Sequence, residues 1–547
     1  MRSRLPLQLA LGIAVLACVA SPSTARAQTP AQNDVAQSFR TADRCATCHN
    51  NMKTAKGEDA SIGFEWSAGM MANAARDPYW QGSVRREVLE HPESSAKIQN
   101  ECSTCHMPLQ NLQDKAQGHQ TDVLKRLPLS TEHAEDAAAA EGVSCAVCHQ
   151  VQPTGLGTPA TYNGNFAVAA QDVHPRPMFG PYAADNDRVT KVHVMTTGYA
   201  PTQADHTRDA GLCGSCHTLY TPTLGADGKE IGKLPEQMPY REWLHSDYKD
   251  KQSCQQCHMA AVDGPVTIAA LLSRPRAGVR HHAFLGANFL MEGILATHHD
   301  ELAVTAQPAH IAADIARTTA FLQAQSAKVI VGQSAVSGGN VSFAVRVENL
   351  TGHKLPTAYP SRRAWLHVVV SAADGHVVFE SGKLNADGSI AGNANDADPA
   401  RYSPHYTKIT KADEVEIFEP ILGDNQGHVT TGLLSATQYL KDNRILPTGF
   451  DKKTAEPDIA VAGQAADDAD FTAGSSTTRY AVSTAGAAGP FKVSAELVYQ
   501  PVGYRWAHNL EVFKADEPQK FVAYYKEAAA KSSLVLAHAE AKLGGDH

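Results

Sequence analysis

Cysteine hardly occurs in this chain outside one arrangement. Of 11 cysteines in 547 residues, ten stand in five pairs, and only Cys18 lies apart. Long apolar runs are missing too. After the first 27 residues no stretch approaches 18 uninterrupted apolar positions, which excludes a spanning helix from the mature chain. Positive charge is in short supply, with 48 Lys and Arg against 57 Asp and Glu, a formal charge of −9. That balance argues against nucleic acid as a partner. There is no Ser-His-Asp arrangement, phosphate-binding loop or His-Glu-x-x-His motif, so those hydrolytic and nucleotide chemistries have no anchor here. Heptads are absent, low-complexity sequence is scarce, and aromatic content is ordinary at 7%.

The cysteine pairs themselves are informative. They are Cys45-x-x-Cys48-His49, Cys102-x-x-Cys105-His106, Cys145-x-x-Cys148-His149, Cys213-x-x-Cys216-His217 and Cys254-x-x-Cys257-His258. Random placement would give roughly 0.01 such motifs in a chain of this composition. Zinc binding or disulfides would use such pairs differently. A zinc site brings two pairs together, or one pair and two histidines, and needs no histidine next to each pair. Cys-x-x-Cys-His is the attachment signature of c-type haem. Two thiols at this spacing reach the two vinyl groups of one porphyrin, and the adjacent histidine ligates the iron from below. The sequence therefore predicts five covalently attached haems c, with His49, His106, His149, His217 and His258 as proximal ligands.

The N-terminus reads as a secretory signal. Arg2 and Arg4 are basic, Leu5 to Ala20 is mostly apolar, and Ala25-Arg26-Ala27 is a small-x-small site before Gln28. Lipidation at Cys18 is the alternative, with Leu16 a poor fit in its leader and Ala25-x-Ala27 the better site. Cleavage removes Arg2, Arg4 and Arg26 and takes the mature charge from −9 to −12. Export agrees with thioether attachment, which in bacteria occurs outside the cytoplasm, so a periplasmic or extracellular protein is expected. Its expected partners are redox proteins, basic or linked to membrane quinol.

The fold class predicted is α+β and multidomain. A signal peptide spans 1–27, a mainly helical and irregular pentahaem region 28–325, an antiparallel β-sandwich-like domain 326–510, and a terminal helix 511–547. Short helices are expected near 64–76, 81–92, 205–216 and 237–248. Residues 308–325 carry a helical pattern with Ile311, Ile315, Ala320 and Leu322. After that the period changes to two, in Val341 to Glu348, Trp365 to Ser371 and Phe491 to Leu497. Asp374-Gly375 and Asp387-Gly388 are turn signals. The last helix is expected at about 517–543, with Phe521, Tyr525, Leu534 and Leu536 on it.

The distal ligands decide between a closed electron carrier and an iron open to a small molecule. His282, 24 residues beyond the last motif histidine, is the first candidate, with His281 as alternate. His193 and His206 precede the fourth motif, His91 precedes the second, and His298-His299 leave the haem region. Met70 and Met71 follow the first motif on an expected helix, where a thioether could ligate or simply pack. His353, in Thr351-Gly352-His353-Lys354-Leu355-Pro356-Thr357, could reach back as a distal ligand or serve as a turn residue. Arg362 or Arg363 could then pair with a propionate.

These motifs and their surroundings resemble the nitrifier-type tetrahaem cytochrome group, over about residues 42–300. In that group a Trp-x-x-Ser-x-His segment often supplies a distal histidine. Trp66 to Met71 has that spacing, with Gly69 in the serine place and Met71 in the histidine place. Tyr240 to Ser246 resembles a second copy, with its histidine at His245. Gly142-Val143-Ser144 and Leu219-Tyr220-Thr221-Pro222 are also similar. The β-domain resembles domains appended to such proteins, in Gly352-His353-x-x-Pro356-Thr357 and Tyr439 to Arg444. The resemblance implies a haem count and a compartment. No Cys-x-x-Cys-Lys active-site motif is present.

Electron transfer through five closely spaced haems is the leading functional expectation. The alternative is an oxidoreductase acting on a small nitrogen or sulfur compound at one open iron, with Lys191, His193 and His206 as candidate pocket residues. A structural, filament-forming cytochrome is the third.

Overall fold

The computed structural model describes residues 39–130, 136–170 and 172–544. The expected leader, with Cys18, lies outside them. Between Phe39 and His299 regular elements are short and separated by loops. The longest helix there, Pro78–Glu90, begins on a proline whose missing N–H is no loss at that position. Asp77 caps it, its Oδ1 accepting from the Tyr79 and Trp80 amides at 2.8 and 3.2 Å. Other expected helices are trimmed: Ile62–Ala68, then Pro239–Leu244. The element expected at 205–216 is split at Asp209 into a 3-10 turn, Asp205–Arg208, and a short helix, Ala210–Gly214.

In chain order the early strands are β1 (Arg176–Gly180), β2 (Tyr199–Gln203), β3 (Leu219–Leu224) and β4 (Glu230–Gln237). Next come β5 (Ala327–Ser337), β6 (Asn340–Asn349), β7 (Arg363–Ser371), β8 (Val377–Ser381), β9 (Lys408–Ile409) and β10 (Ile417–Phe418). The last are β11 (Pro420–Asp424), β12 (Val429–Thr430), β13 (Ala436–Asp442), β14 (Ser475–Ser483), β15 (Phe491–Gln500) and β16 (Leu534–Leu543). One sheet has the order β5-β6-β14-β9, and another β10-β7-β15-β16 with β8 also on β7. Their inward residues share one core. Val341, Phe343, Val345 and Val347 of β6 meet Leu366, Val368 and Val370 of β7 and Val493, Ala495 and Leu497 of β15. The two-residue period read from the sequence is the alternation that buries them. Pairing within these two sheets is antiparallel except for the short β9, which runs parallel to β14; β1 and β2 also pair in parallel. The Asp374-Gly375 turn joins β7 to β8, with Gly375 at φ 87°, where a side chain would be strained.

The terminal helix expected over 517–543 is corrected. A helix does form at Asp516–Ala528, but Leu534–Leu543 is strand β16, antiparallel to β15. The reason is visible in the residues. From Ala537 to Lys542 half-buried and exposed positions alternate, while Leu536 and Leu543 are buried. A bulge opposite Leu497 and Val498 lets Leu534 and Val535 keep the pairing. The helix Asp516–Ala528 returns to the N-terminal part, where Phe521 packs on Tyr79 with ring centres 4.9 Å apart.

The helix Pro308–Gln325 forms over the range the periodicity gives. Its buried Asp314 faces Glu292 of the helix Phe289–Thr297. Burial, then the nearby Asp314 carboxylate, push Glu292 up to about 8, and Arg317 only partly offsets them. Burial raises Asp314 to about 6. A carboxyl raised in the folded state contributes stability below its unfolded value and loses it as pH rises through the folded value. Glu292→Gln removes that loss. The variant is expected to be more stable than the parent at pH 8.5, by about 1–3 kcal/mol and so with a higher unfolding temperature, with no such gain at pH 5. Thermal unfolding at the two pH values checks this, and an equal difference at both would count against it.

Candidate functional site

Each of the five motifs begins on or within a helical turn. Helices Cys145–Cys148 and Cys254–His258 are built from motif residues. Helix Ser95–His106 ends on one motif, and Ala210–Gly214 leads into another. Residues i, i+3 and i+4 of a helix share a face, so each turn presents two thiols and an imidazole together. The backbone bonds His49 N to Cys45 O (2.9 Å), His149 N to Cys145 O (3.0 Å) and His217 N to Cys213 O (2.9 Å) hold that geometry.

The ten motif cysteines and five motif histidines line one cavity of about 2050 Å³. Single small-molecule pockets measure about 300–1,000 Å³, so this one has room for several large ligands. Four of the imidazoles are fixed in the same way. His49 Nδ1 donates to Ile268 O at 2.6 Å, His106 to Ala74 O at 3.0 Å, His149 to Phe179 O at 2.5 Å and His258 to Leu285 O at 2.5 Å. A carbonyl only accepts, so Nδ1 carries the proton and Nε2 keeps its lone pair. This is the outer-shell arrangement that orients metal-binding histidines. Burial also favours the neutral ring. It lowers His106 and His217 to about 4 and depresses His49, His149 and His258.

The motifs adjoin in a definite order. The thiol of Cys45 interacts with Cys145, Cys105 with Cys216, and Cys213 with Cys254. Cys216 lies close enough to Cys148 to raise its pKa further. The first motif thus adjoins the third, the third the fourth, and the fourth both the second and the fifth.

Among the other candidates the structure selects. His282 lines the cavity, with Nδ1 bonded to Arg280 O at 3.0 Å. His193 lines it with Nδ1 on Tyr199 O at 2.8 Å. His353 lines it with Nδ1 on Lys354 O at 2.9 Å. Each therefore has the same free Nε2 as the motif rings. His193 depresses the protonation of both His49 and His149, and His282 is affected by the same two rings. Met70 and Met71 also line the cavity, and Trp66 beside them donates Nε1–H to Val143 O at 2.9 Å.

Other candidates are placed elsewhere. His206 does not line the cavity, and its Nε2 is engaged by Val151 O at 2.8 Å. His281 is tied to Glu65 at 2.5 Å. His298 pairs with Glu527, and His299 Nε2 with Ala306 O at 2.8 Å. His91 is buried near Ser435, and His245 bonds Arg241 O. Lys191 is exposed on the outer side of its helix. Arg363 is committed to Asp396 at 2.7 Å inside the β-rich part, so it is corrected as a cavity cation. Arg362 does line the cavity, donating to Thr357 O at 3.1 Å.

Some cavity residues were not anticipated. His119 and Glu236 line it, the latter pushed up to about 7 by burial. Trp80 stacks on His106 with ring centres 4.5 Å apart and planes at 4°. Buried Glu65 holds the His281-His282 segment through His281 and the His282 amide, and buried Glu242 does the same for residues 354–357. A Glu within a short helix gives no sequence signal for such a long-range role.

No family model matches the chain, and no curated protein matches it. Among solved structures, a penta-heme cytochrome c552 from Thermochromatium tepidum is similar at 16% identity and a TM-score of 0.48. That comparison covers 92% of this chain and 99% of the other. The functional reading of the cavity rests on this chain's own residues.

Proposed function

We propose that this is an exported multihaem cytochrome c that carries electrons through five covalently bound haems. One observation carries the reading: ten cysteines and five histidines from separate stretches of chain converge on one cavity, four of the imidazoles with Nε2 left free to bind a metal. Bound haem supplies a reversible one-electron couple at each iron. The chain does the rest. Paired thiols hold each ring, the carbonyls of Ile268, Ala74, Phe179 and Leu285 fix the ligand rings, and the apolar lining limits water. The adjoining motifs keep neighbouring redox centres close, so electrons entering near the first motif have a route through the third and fourth to the second or the fifth.

Export, a periplasmic or extracellular location and a redox protein as partner belong to the same proposal. The motif chemistry, the basic and apolar start of the sequence, and the mature charge of −12 support it. Among the described residues no helix is long and apolar enough to cross a membrane.

A second reading is an open iron in the same cavity. Arg362 lines the cavity, donating to Thr357 O at 3.1 Å, and its charge bears on His217, His258 and His353 alike. Tyr359 and Tyr79, whose hydroxyls interact, line the same cavity. A guanidinium and phenols in the cavity would suit a small nitrogen or sulfur oxyanion at such an iron.

Mass and pyridine haemochrome analysis of the exported protein should give five haems per chain. A protein without haem overturns the proposal. Integrated low-temperature electron paramagnetic resonance then divides the two readings. Five low-spin irons are expected of a carrier. One high-spin iron, shifted by added nitrite, would establish the second reading.

A further inference from the structure

We infer that His353 and His258 bind one iron from opposite sides, so that the β-rich part of the chain supplies the second axial ligand of the fifth site. The inference rests on the haem reading above and deepens it. The two rings lie nearly parallel, at 16°, with centres 6.3 Å apart. That is too far for the contact stacking of Trp80 on His106 at 4.5 Å. It is the separation that a shared metal requires. An imidazole nitrogen binds a first-row metal at about 2 Å and lies about 1 Å from its ring centre, so two rings flanking one metal stand about 6 Å apart. Both rings line the cavity, and both have Nδ1 on a backbone carbonyl, Leu285 O at 2.5 Å and Lys354 O at 2.9 Å. Nε2 is therefore the metal-binding atom of each.

The loop that carries His353 is built to hold it there. Asn349 Nδ2 donates to His353 O at 2.8 Å. Gly352 lies against the chain just before the fifth motif, where a Cβ would stand 3.2 Å from Trp243 and Tyr248, so only glycine fits the approach without displacement. Tyr248 donates its hydroxyl to Leu350 O at 2.8 Å. Past the histidine, the Lys354 amide donates to Glu242 at 3.1 Å and its ammonium pairs with Asp442 at 2.6 Å. Arg444 closes the ring, pairing with Asp442 at 2.7 Å and Glu242 at 3.1 Å. All four side chains are at most 7% exposed. Glu242 comes from the helix before the fifth motif, and Asp442 and Arg444 from the end of β13 and just beyond. The cluster fixes the position of the His353 loop against the segment that bears His258.

The test is His353→Ala in the exported, haem-loaded protein, read by haem count and by electron paramagnetic resonance. The count should stay at five while one low-spin iron becomes high-spin, and added imidazole should restore the low-spin signal. Five haems with an unchanged spectrum would overturn the pairing. A parent protein that lacks the fifth haem would instead overturn the underlying haem reading, so the two failures are separable. If the alanine variant does not accumulate, His353→Met keeps the bulk and offers a thioether. One redox potential should then rise and one bis-imidazole signal should vanish, and no change in either would equally refute the pairing.

Discussion

With all ten motif cysteines changed to alanine, the region from Phe39 to His299 is expected not to reach its folded state. The magnitude follows from the cavity. The cavity of about 2050 Å³ opens to solvent, so without its occupants water fills it and its apolar lining stays wet. At about 25 cal/mol per Å² of apolar surface that is a large loss against net stabilities of about 5–15 kcal/mol. On the proposed haem reading the bound rings fill this space and complete the core of the region. Val84 lies in a cluster of eight buried residues and Ile98 in one of three, with Cys102 packed against both, while Leu290, Met291 and Ile294 join a larger core with Phe521 and Tyr525. The sheets of β5-β6-β14-β9 and β10-β7-β15-β16 have a large core of their own. Limited proteolysis followed by mass spectrometry should give cuts throughout 39–299 in the variant and a protected fragment from the strands after 326. A variant protected like the haem-loaded parent would contradict the idea that haem supplies the core.

How much of this could be read in advance depends on the range of the interaction. The Cys-x-x-Cys-His turns are local, because thiol and imidazole share a helical face by spacing alone. The strands at 341–348 and 491–497 were also legible, since alternation is a local property of a half-buried strand. The segment 534–543 shows the limit. Phe521 and Tyr525 suggest a helix, and extending that period to Leu534 and Leu536 passes over the two-residue alternation from Ala537 to Lys542. Only pairing with β15 decides the outcome. Distal candidates were legible as histidines but not as neighbours. His282 and His206 look alike in sequence, yet one turns Nε2 free toward the cavity and the other gives it to Val151 O. The distinction depends on a carbonyl 55 residues away. Met71 was equally open, and it does line the cavity. Glu242, Asp442 and Arg444 form one cluster across about 200 residues of chain, with no local pattern to announce it.

That cluster sets the second large effect. Asp442→Asn is expected to destabilise the folded chain by about 3–5 kcal/mol. The substitution is nearly isosteric, so packing changes little and the loss is electrostatic. Asp442 receives Lys354 at 2.6 Å and Arg444 at 2.7 Å. With an amide in its place, Lys354 keeps a bond to Ala460 O at 3.2 Å but loses its countercharge. Arg444 retains only Glu242. Two buried cations then share one carboxylate, and an uncompensated buried charge is the costly state. The pH dependence has a defined sign. Burial pushes the Asp442 carboxyl up, but Arg444 and Lys354 outweigh it and hold it well below the ordinary range. A group depressed in this way stabilises the fold above its unfolded value of about 4 and ceases to do so only as pH falls through its lower folded value. The defect of the variant should thus be constant between pH 5 and 8 and shrink only below about pH 4. Denaturant unfolding across that range measures it. If His353 ligates the fifth iron as proposed, the same variant should also broaden or shift that iron's low-spin signal, because the His353 loop hangs on Lys354. A loss below about 1 kcal/mol, or one confined to pH above 7, would show that the cluster does not bind the two halves of the chain together.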